Sequence, residues 1–428
     1  MDSPAAIDAD LASDAAPAEA RAAAGRIRFD RNEWAGAFGD IGTDLPLLVG
    51  VILAARLNVA GALIMFGALQ ILTGLRYRMP MPVQPLKAMA ALVIAHQVSG
   101  SVLAGGGLSI GVLMLLLSVT GLVDWFARVV PKVVVRGIQF GLGLQLASLA
   151  LGRYVAGSGS TGYVLAAGGL ILVVTLAGNR RYPAALAVVV FGAVYATAFT
   201  LDTHALWRGV GIHLPQMQFP AWQDIVTGFF VLALPQLPLS LGNSILATRQ
   251  LSQDLFPGRA PSVRAISFTY AFMNLLNPLF GGIPTCHGSG GMAGHYAFGG
   301  RTGGSVTLYG SFYLAIGLFV SGGFQEVVKA FPLPLLGVLL LVEGLTLMAL
   351  VRDLFNNAYG LVVALVVGLM AVTIPYGYGV ALVVGSAAVW VPKIPVFSRL
   401  FSRAGLGAAQ AGGTRLATMT ADAGRADD

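Results

Sequence analysis

Charge is scarce in this sequence. Asp, Glu, Lys and Arg make up 11% of its 428 residues, against about 25% in a soluble domain. With 56% hydrophobic residues and a mean hydropathy of +0.77, that scarcity excludes an ordinary water-soluble fold. Cysteine is nearly missing too. The lone Cys286 rules out an intrachain disulfide, so cysteine usage does not identify the redox compartment. No G-x-x-x-x-G-K-[ST] loop occurs, which argues against ATP hydrolysis by this chain. His287 and His295 are eight apart, not at the i, i+4 spacing of a helical zinc pair. His287-Gly288-Ser289-Gly290 lacks the first glycine of a nucleophile elbow. An enzyme is therefore disfavoured, and no cofactor or metal is expected. Residues 1–33 have no apolar h-region, so the first apolar segment is expected to act as an uncleaved insertion signal.

What the chain does have is apolar runs separated by short polar loops, the pattern of an all-α polytopic membrane protein. About fourteen segments are expected. Seven lie near 34–54, 58–75, 80–97, 104–121, 134–151, 162–178 and 183–200. Seven more lie near 224–246, 265–280, 283–299, 305–322, 333–350, 358–374 and 377–391. The two sets correspond. Pro82 and Pro284 are offset by 202, Pro131 and Pro332 by 201, and Gly143-Leu144 and Gly344-Leu345 keep the second offset. Seven is odd, so the second copy (224–391) must enter the membrane from the side opposite to the first (34–200). That is a 7+7 inverted repeat. The tails, 1–33 and 392–428, are polar and Ala/Gly-rich and are expected to be disordered.

Basic residues test that layout. With a cytoplasmic N-terminus, the inside regions hold twenty-one of them, from Arg21 to Arg425, and the outside loops hold only Arg56, Arg153, Arg208 and Lys329. Such a bias is the positive-inside signature and puts both termini in the cytoplasm. The pI near 9.7 is then topological, with no nucleic-acid partner implied. Lys87 alone is left within a membrane segment.

Two segments are broken alike. Met79-Pro80-Met81-Pro82-Val83-Gln84-Pro85-Leu86-Lys87 opens the third, and Gly281-Gly282-Ile283-Pro284-Thr285-Cys286-His287-Gly288-Ser289-Gly290-Gly291 opens the tenth. Each Pro/Gly-rich run leads into a half-helix. Irregular backbone survives at membrane depth only where protein or a watery cavity covers it. Matched breaks in two halves point to a transporter's substrate site. Two helix starts facing each other near the midplane would offer unpaired N–H groups and partial positive charge to an anion. The expected donors are the amides of Leu86, Lys87 and Ala88 and of Gly288, Ser289, Gly290 and Gly291. The Lys87 charge, the Gln84 amide, the Ser289 hydroxyl and His287 would add to them. The plainer alternatives are glycines that serve only close helix packing and a histidine that merely caps a half-helix. Cys286 reads as a small filler.

Further polar residues stand out. Asp40 and Asp44 in Phe38-Gly39-Asp40-Ile41-Gly42-Thr43-Asp44 are spaced i, i+4 on one expected helix face. Carboxylates in a span default to a functional role. They could pair Lys87, relay protons, or act only as structural counter-charges. Glu343 is another candidate proton carrier. In the eighth segment Pro235 and Pro238 are expected to kink the helix and free carbonyls. Gln236 and Asn243 share its face, and their neutral amides favour an anion.

These stretches resemble the molybdate transporter family, a branch of the sulfate permease superfamily. The resemblance is carried by FGDIGTDLP (38–46), MPVQPLKAMAA (81–91), PKVVVRGIQFGLGL (131–144), LPQLPLSLGNSILATRQLSQDLFPG (234–258), IPTCHGSGGMAGHYAFGGRTG (283–303) and PLPLLGVLLLVEGLTLM (332–348). It implies a core domain (segments 1–4 and 8–11) moving against a gate domain (segments 5–7 and 12–14). It further implies proton-coupled import of molybdate, or of sulfate, across the inner cell membrane. Asp40, Asp44, His287 and Glu343 are the candidate proton carriers. A homodimer is left open. The rivals are a nucleobase permease, which should place acids where His287 and Gln236 stand, and a passive anion channel.

Overall fold

The computed structural model describes residues 26–123, 125, 129–176 and 184–391. Most of both expected tails lies outside these residues, as do Arg128, Arg180 and Arg181. The chain is almost wholly helical. The first half comprises α1 (Arg31–Ala37), α2 (Ile41–Ala55), α3 (Val59–Tyr77), α4 (Lys87–His96), α5 (Gly100–Thr120), α6 (Lys132–Leu149), α7 (Gly159–Thr175) and α8 (Ala184–Phe199), followed by the short α9 (Thr203–Arg208). The second half comprises α10 (Trp222–Leu255), α11 (Val263–Leu276), α12 (Ser289–Ala297), α13 (Gly304–Ala315), α14 (Ser321–Ala330), α15 (Leu333–Ala349), α16 (Ala358–Thr373) and α17 (Gly377–Trp390). Among the described residues six helical stretches are long and apolar enough to cross a bilayer, seven if α1 and α2 form one bent span. The chain is a multi-pass membrane protein.

Three local features differ from the expectation. α1 begins at Arg31, inside the expected disordered tail, and its Glu33 is buried. The Glu33 carboxylate accepts from the amides of Arg301, Thr302 and Ser305 at 2.9–3.0 Å, a favourable place for an anion at the start of α13. Next, the first segment is not one helix. It bends by 43° between α1 and α2, and Asp40 stands at the N-cap of α2 rather than within a helical run. Finally, α10 stays helical through Pro235 and Pro238. Two wide π-type turns, Phe229–Ala233 and Ser240–Leu246, flank the prolines and absorb the misfit.

The helices pack in pairs that cross between halves. α3 lies on α13 and α5 on α11; α5 also meets α10, and α13 also meets α1. α6 packs on α15 and α16, and α15 packs on α7. Glycine pairs allow the closest approaches. A Cβ on Gly67 would stand 2.5 Å from the Gly310 carbonyl oxygen, and one on Gly310 would stand 2.6 Å from that of Gly67. The Gly143 and Gly344 that anchored the repeat also touch, each backbone filling the space a side chain would need. Without a hydrophobic drive between helices in lipid, such contact is the main source of packing energy.

A bulky residue at these crossings should separate whole helices. Gly67→Leu is expected to cost at least the ~1–3 kcal/mol of an overpacked core and to lower the melting temperature in detergent. An unchanged melting temperature would show that the α3–α13 contact is dispensable.

Candidate functional site

The two broken runs meet at the centre of the bundle. Gln84–Pro85 (β1) pairs antiparallel with Thr285–Cys286 (β2), Gln84 opposite Cys286 and Pro85 opposite Thr285. The Leu86 amide donates to the Pro284 carbonyl at 3.0 Å. α4 and α12 thus start from one shared patch of irregular backbone.

Side-chain amides hold that patch. From α3, Gln70 Nε2 donates to the Val83 carbonyl at 2.8 Å, and its Oε1 accepts from the Val83 amide at 3.0 Å. From α11, Asn274 Nδ2 donates to the Thr285 carbonyl at 2.6 Å, and its Oδ1 accepts from the Thr285 amide at 2.9 Å. Val83 and Thr285 are themselves 202 residues apart, the offset of the repeat. Asn277 Nδ2 adds bonds to the Ile283 carbonyl and Thr285 Oγ1. All three amide side chains are buried. Sequence reasoning missed them. The available signal was a lone amide residue in the helix preceding each break.

The two helix starts are not equally open. At α4 the Ala88 and Met89 amides both donate to Gln236 Oε1, at 2.9 and 3.2 Å. Gln236 Nε2 donates to Ser240 Oγ at 3.1 Å. The expected donor list is corrected here: Leu86 is committed to the ladder and Ala88 to Gln236. Gln236 is accordingly a helix cap, because the freed N–H groups of a buried helix start need an acceptor. Only Lys87 keeps an uncommitted amide in that first turn. At α12 the N-cap is Gly288, which has no side chain to cap with, and among the described residues no side chain takes the place that Gln236 has at α4. The amides of Ser289, Gly290 and Gly291 have no intrahelical acceptor. Ser289 is half-buried and Gly290 exposed. A Cβ at Gly290 would meet nothing within 4 Å, whereas one at Gly288 would overlap Gln84 and one at Gly291 would overlap Asp40.

His287 is fully engaged by protein. Its Nδ1 lies 3.1 Å from the Pro82 carbonyl, and Nε2 lies 2.7 Å from Thr269 Oγ1. The Tyr77 ring meets it edge-on at 5.6 Å. Of the two roles expected for this histidine, the geometry fits the structural cap. Its ring nitrogens brace one break against the other.

The charges sort differently from the expectation. Lys87 Nζ pairs with Glu343 Oε1 at 2.5 Å, so the partner of the lysine is the acid on α15 rather than Asp40 or Asp44. Asp40 Oδ2 accepts from Gln84 Nε2 at 2.6 Å. Asp44 is wholly buried; its carboxylate oxygens reach no donor at full hydrogen-bond geometry, though Tyr309 and Asp40 stand close enough to interact with it. Asp40, Lys87 and Tyr309 are among its polar neighbours. Tyr309 and Tyr313, whose hydroxyls lie 3.1 Å apart, went unnoticed in the sequence because tyrosines in an apolar run read as core. Of the other amides, Gln139 is buried with its Oε1 accepting from Arg136 at 2.9 Å, and Asn243 is half-buried.

Residues 32–146 and 228–347 match the family described as molybdate transporter of the MFS superfamily. The matched blocks contain both breaks, Asp40, Asp44, Gln236 and Glu343. The chain belongs to the molybdate transporter family. Molybdate transporter 2 of Arabidopsis thaliana is 32% identical over 375 residues, covering 76% of this chain and 79% of that protein. Molybdate transporter 1 of the same plant is 33% identical over 368 residues, covering 74% and 79%. Molybdate transporter 1 of Chlamydomonas reinhardtii is 29% identical over 436 residues, covering 75% and 84%. Among solved structures, the fold is similar to the transmembrane domain of the cyanobacterial bicarbonate transporter BicA. The TM-score is 0.60 at 15% identity, over 85% of this chain and 98% of that one. It is also similar to murine Slc26a9, titled an anion transporter in the inward-facing state, with a TM-score of 0.61 at 16% identity over 86% and 69%. At such identities the likeness is one of fold.

In this molybdate transporter family member the Asn274 clamp can be tested alone. Asn274→Leu leaves the Thr285 amide and carbonyl unpaired, at ~1–3 kcal/mol per buried group. The expected outcome is a lower melting temperature together with weaker anion binding by calorimetry. Wild-type values for both would mean that water or another side chain supports the second break.

Proposed function

We propose that this chain is a secondary active transporter that imports a tetrahedral oxyanion, molybdate first, together with protons by alternating access. The observation that carries the reading is the start of α12, whose first amides have no intrahelical acceptor, with Ser289 half-buried, Gly290 exposed and Lys87 on the paired break. Backbone amides at a helix start suit a dianion, and glycine lets its oxygens approach the backbone closely. Gln84, His287 and Gln236 shape this pocket by fixing Asp40, Pro82 and α4.

Fourteen segments in a 7+7 inverted repeat, with half-helices third and tenth, fit this reading. The helix contacts support it. Shifting each segment by seven turns the α3–α13 contact into α11–α5, α6–α16 into α15–α7, and α5–α10 into α13–α1. In that frame Lys87 belongs to the core domain and Glu343 to the gate, so their ion pair ties the moving part to the static one. Both termini are then cytoplasmic and the inner membrane is the site of action.

Charge balance supports proton coupling. Asp40, Asp44 and Glu343 set three carboxylates around the single Lys87 ammonium. A dianion added to ionised acids would be repelled, and a buried charge without a donor is costly. An oxyanion that draws Lys87 leaves Glu343 without its counter-charge, which makes Glu343, with Asp40 and Asp44, a candidate proton carrier. Each proton also offsets ~2.3 kcal/mol per 100 mV of inside-negative potential.

Uptake into proteoliposomes with molybdate, tungstate and sulfate in competition tests the substrate. Molybdate should outcompete sulfate at equal concentration; the reverse order would make this a sulfate carrier. Glu343→Gln should flatten the pH dependence of uptake while leaving the protein folded. Retention of the wild-type pH profile would remove Glu343 as proton carrier. Gly290→Trp, which fills open space without a backbone clash, is expected to reduce anion binding more than tenfold with an unchanged melting temperature. Wild-type affinity would move the pocket away from α12.

A further inference from the structure

At one end of the bundle two guanidinium groups have no counter-charge among the described residues. Arg76, in the last turn of α3, and Arg264, in the first turn of α11, are both exposed. Among the described residues neither makes a hydrogen bond or an ion pair, and each lies near a ring on its own helix, at 5.5 Å from the Tyr77 and Phe268 centroids. Together with Ser262, Phe268, Thr269 and Phe272 they line an open groove of about 540 Å³. Its chemistry changes along its length. Arg264, Phe268 and Phe272 follow one another at four-residue steps, so they lie on one face of α11. Phe272 is 55% exposed, and Leu72 and Leu75 on α3 are exposed as well. One end of the groove is therefore cationic and the rest apolar, with the cationic end on the side that the basic-residue bias assigns to the cytoplasm.

The groove also reaches inward. The Tyr77 hydroxyl bonds Thr269 Oγ1 at 2.6 Å and the Ala265 carbonyl at 3.2 Å. Thr269 Oγ1 in turn bonds His287 Nε2 at 2.7 Å. An occupant touching Thr269 is one hydrogen bond away from the histidine that braces the two breaks.

We propose that this groove binds one anionic phospholipid. Its headgroup phosphate lies between Arg76 and Arg264, and an acyl chain runs along Phe268 and Phe272. The charge pattern selects the occupant. A zwitterionic lipid brings an ammonium toward two unpaired guanidinium groups, and a water-soluble anion makes no use of the apolar stripe. Basic pockets between membrane helices on the cytoplasmic side suit acidic headgroups, at about 1 kcal/mol per basic contact.

Native mass spectrometry of the purified full-length protein, with phosphatidylglycerol or phosphatidylcholine added, tests this without reference to transport. Phosphatidylglycerol should be retained and phosphatidylcholine lost. The double variant Arg76→Gln, Arg264→Gln should weaken phosphatidylglycerol retention about thirtyfold, the equivalent of two such contacts, with an unchanged melting temperature. If the double variant does not fold, each single variant should weaken retention about fivefold. Equal retention of both lipids, or wild-type retention by the folded variants, would overturn the proposal. Displacement of phosphatidylglycerol by millimolar inorganic phosphate would reassign the groove to a soluble anion.

Discussion

Backbone that leaves the helix inside an apolar bundle must find a partner for every peptide N–H and C=O, and the centre of this protein is organised around that demand. Two irregular runs partly satisfy each other through the β1–β2 pairing. The remainder falls to side chains, and the residue type chosen is consistent. Asn and Gln carry a donor and an acceptor on one uncharged group, so Gln70 can serve both polar groups of Val83 and Asn274 both of Thr285. A carboxylate could do only half of this and would bring a charge. Gln236, by accepting from two amides of α4, extends the same solution to a helix start.

Once the amides take the structural work, the charged groups stand apart from it. Asp40 is held by Gln84 and Glu343 by Lys87. Asp44 has no donor at full hydrogen-bond geometry, only Tyr309 and Asp40 nearby. The three acids therefore meet three different conditions within one site: neutral donor, full counter-charge, and neither. Under the proposed function that spread is useful. A site that must accept a dianion and then release it needs acids whose charge depends on what else is bound. The Lys87–Glu343 pair adds a mechanical consequence, since it spans the core and gate domains of the proposed transport cycle and must break or loosen when the two slide.

Much of this was legible in the sequence, for reasons that differ by residue. The breaks were visible because Pro82, Pro85, Pro284 and the glycines around Ser289 forbid regular helix over a run too apolar to be a surface loop. Their facing arrangement followed from the shared offset of Pro82 and Pro284. Pairings across the bundle were not legible. Lys87 had two candidate acids in the sequence, Asp40 and Asp44, and only the packing of the helices brings Glu343 to it instead. The fate of single N–H groups was equally hidden, because an amide residue such as Gln236 reads alike as ligand or cap until its acceptor is seen. The bend at Gly39–Asp40 escaped notice because a lone Gly-Asp step is a weak breaker beside Pro-rich runs.

The difference between the two helix starts has its own logic under the proposed repeat. Asp44-Leu45-Pro46-Leu47 in the first segment and Gln236-Leu237-Pro238-Leu239 in the eighth share one pattern, which makes Asp44 and Gln236 counterparts. Gln236 caps α4, the half-helix of the opposite repeat. The first amides of α12 have no intrahelical acceptor, and the carboxylate beside them is Asp40, whose Oδ2 a Cβ on Gly291 would overlap. A neutral cap thus occupies one start, and a buried carboxylate stands beside the other. Under the proposed function, an ionised Asp40 or Asp44 and a bound oxyanion would repel each other at low dielectric. A neutral cap on α4 and buried carboxylates beside the open start of α12 then let an oxyanion bind only as those acids lose charge.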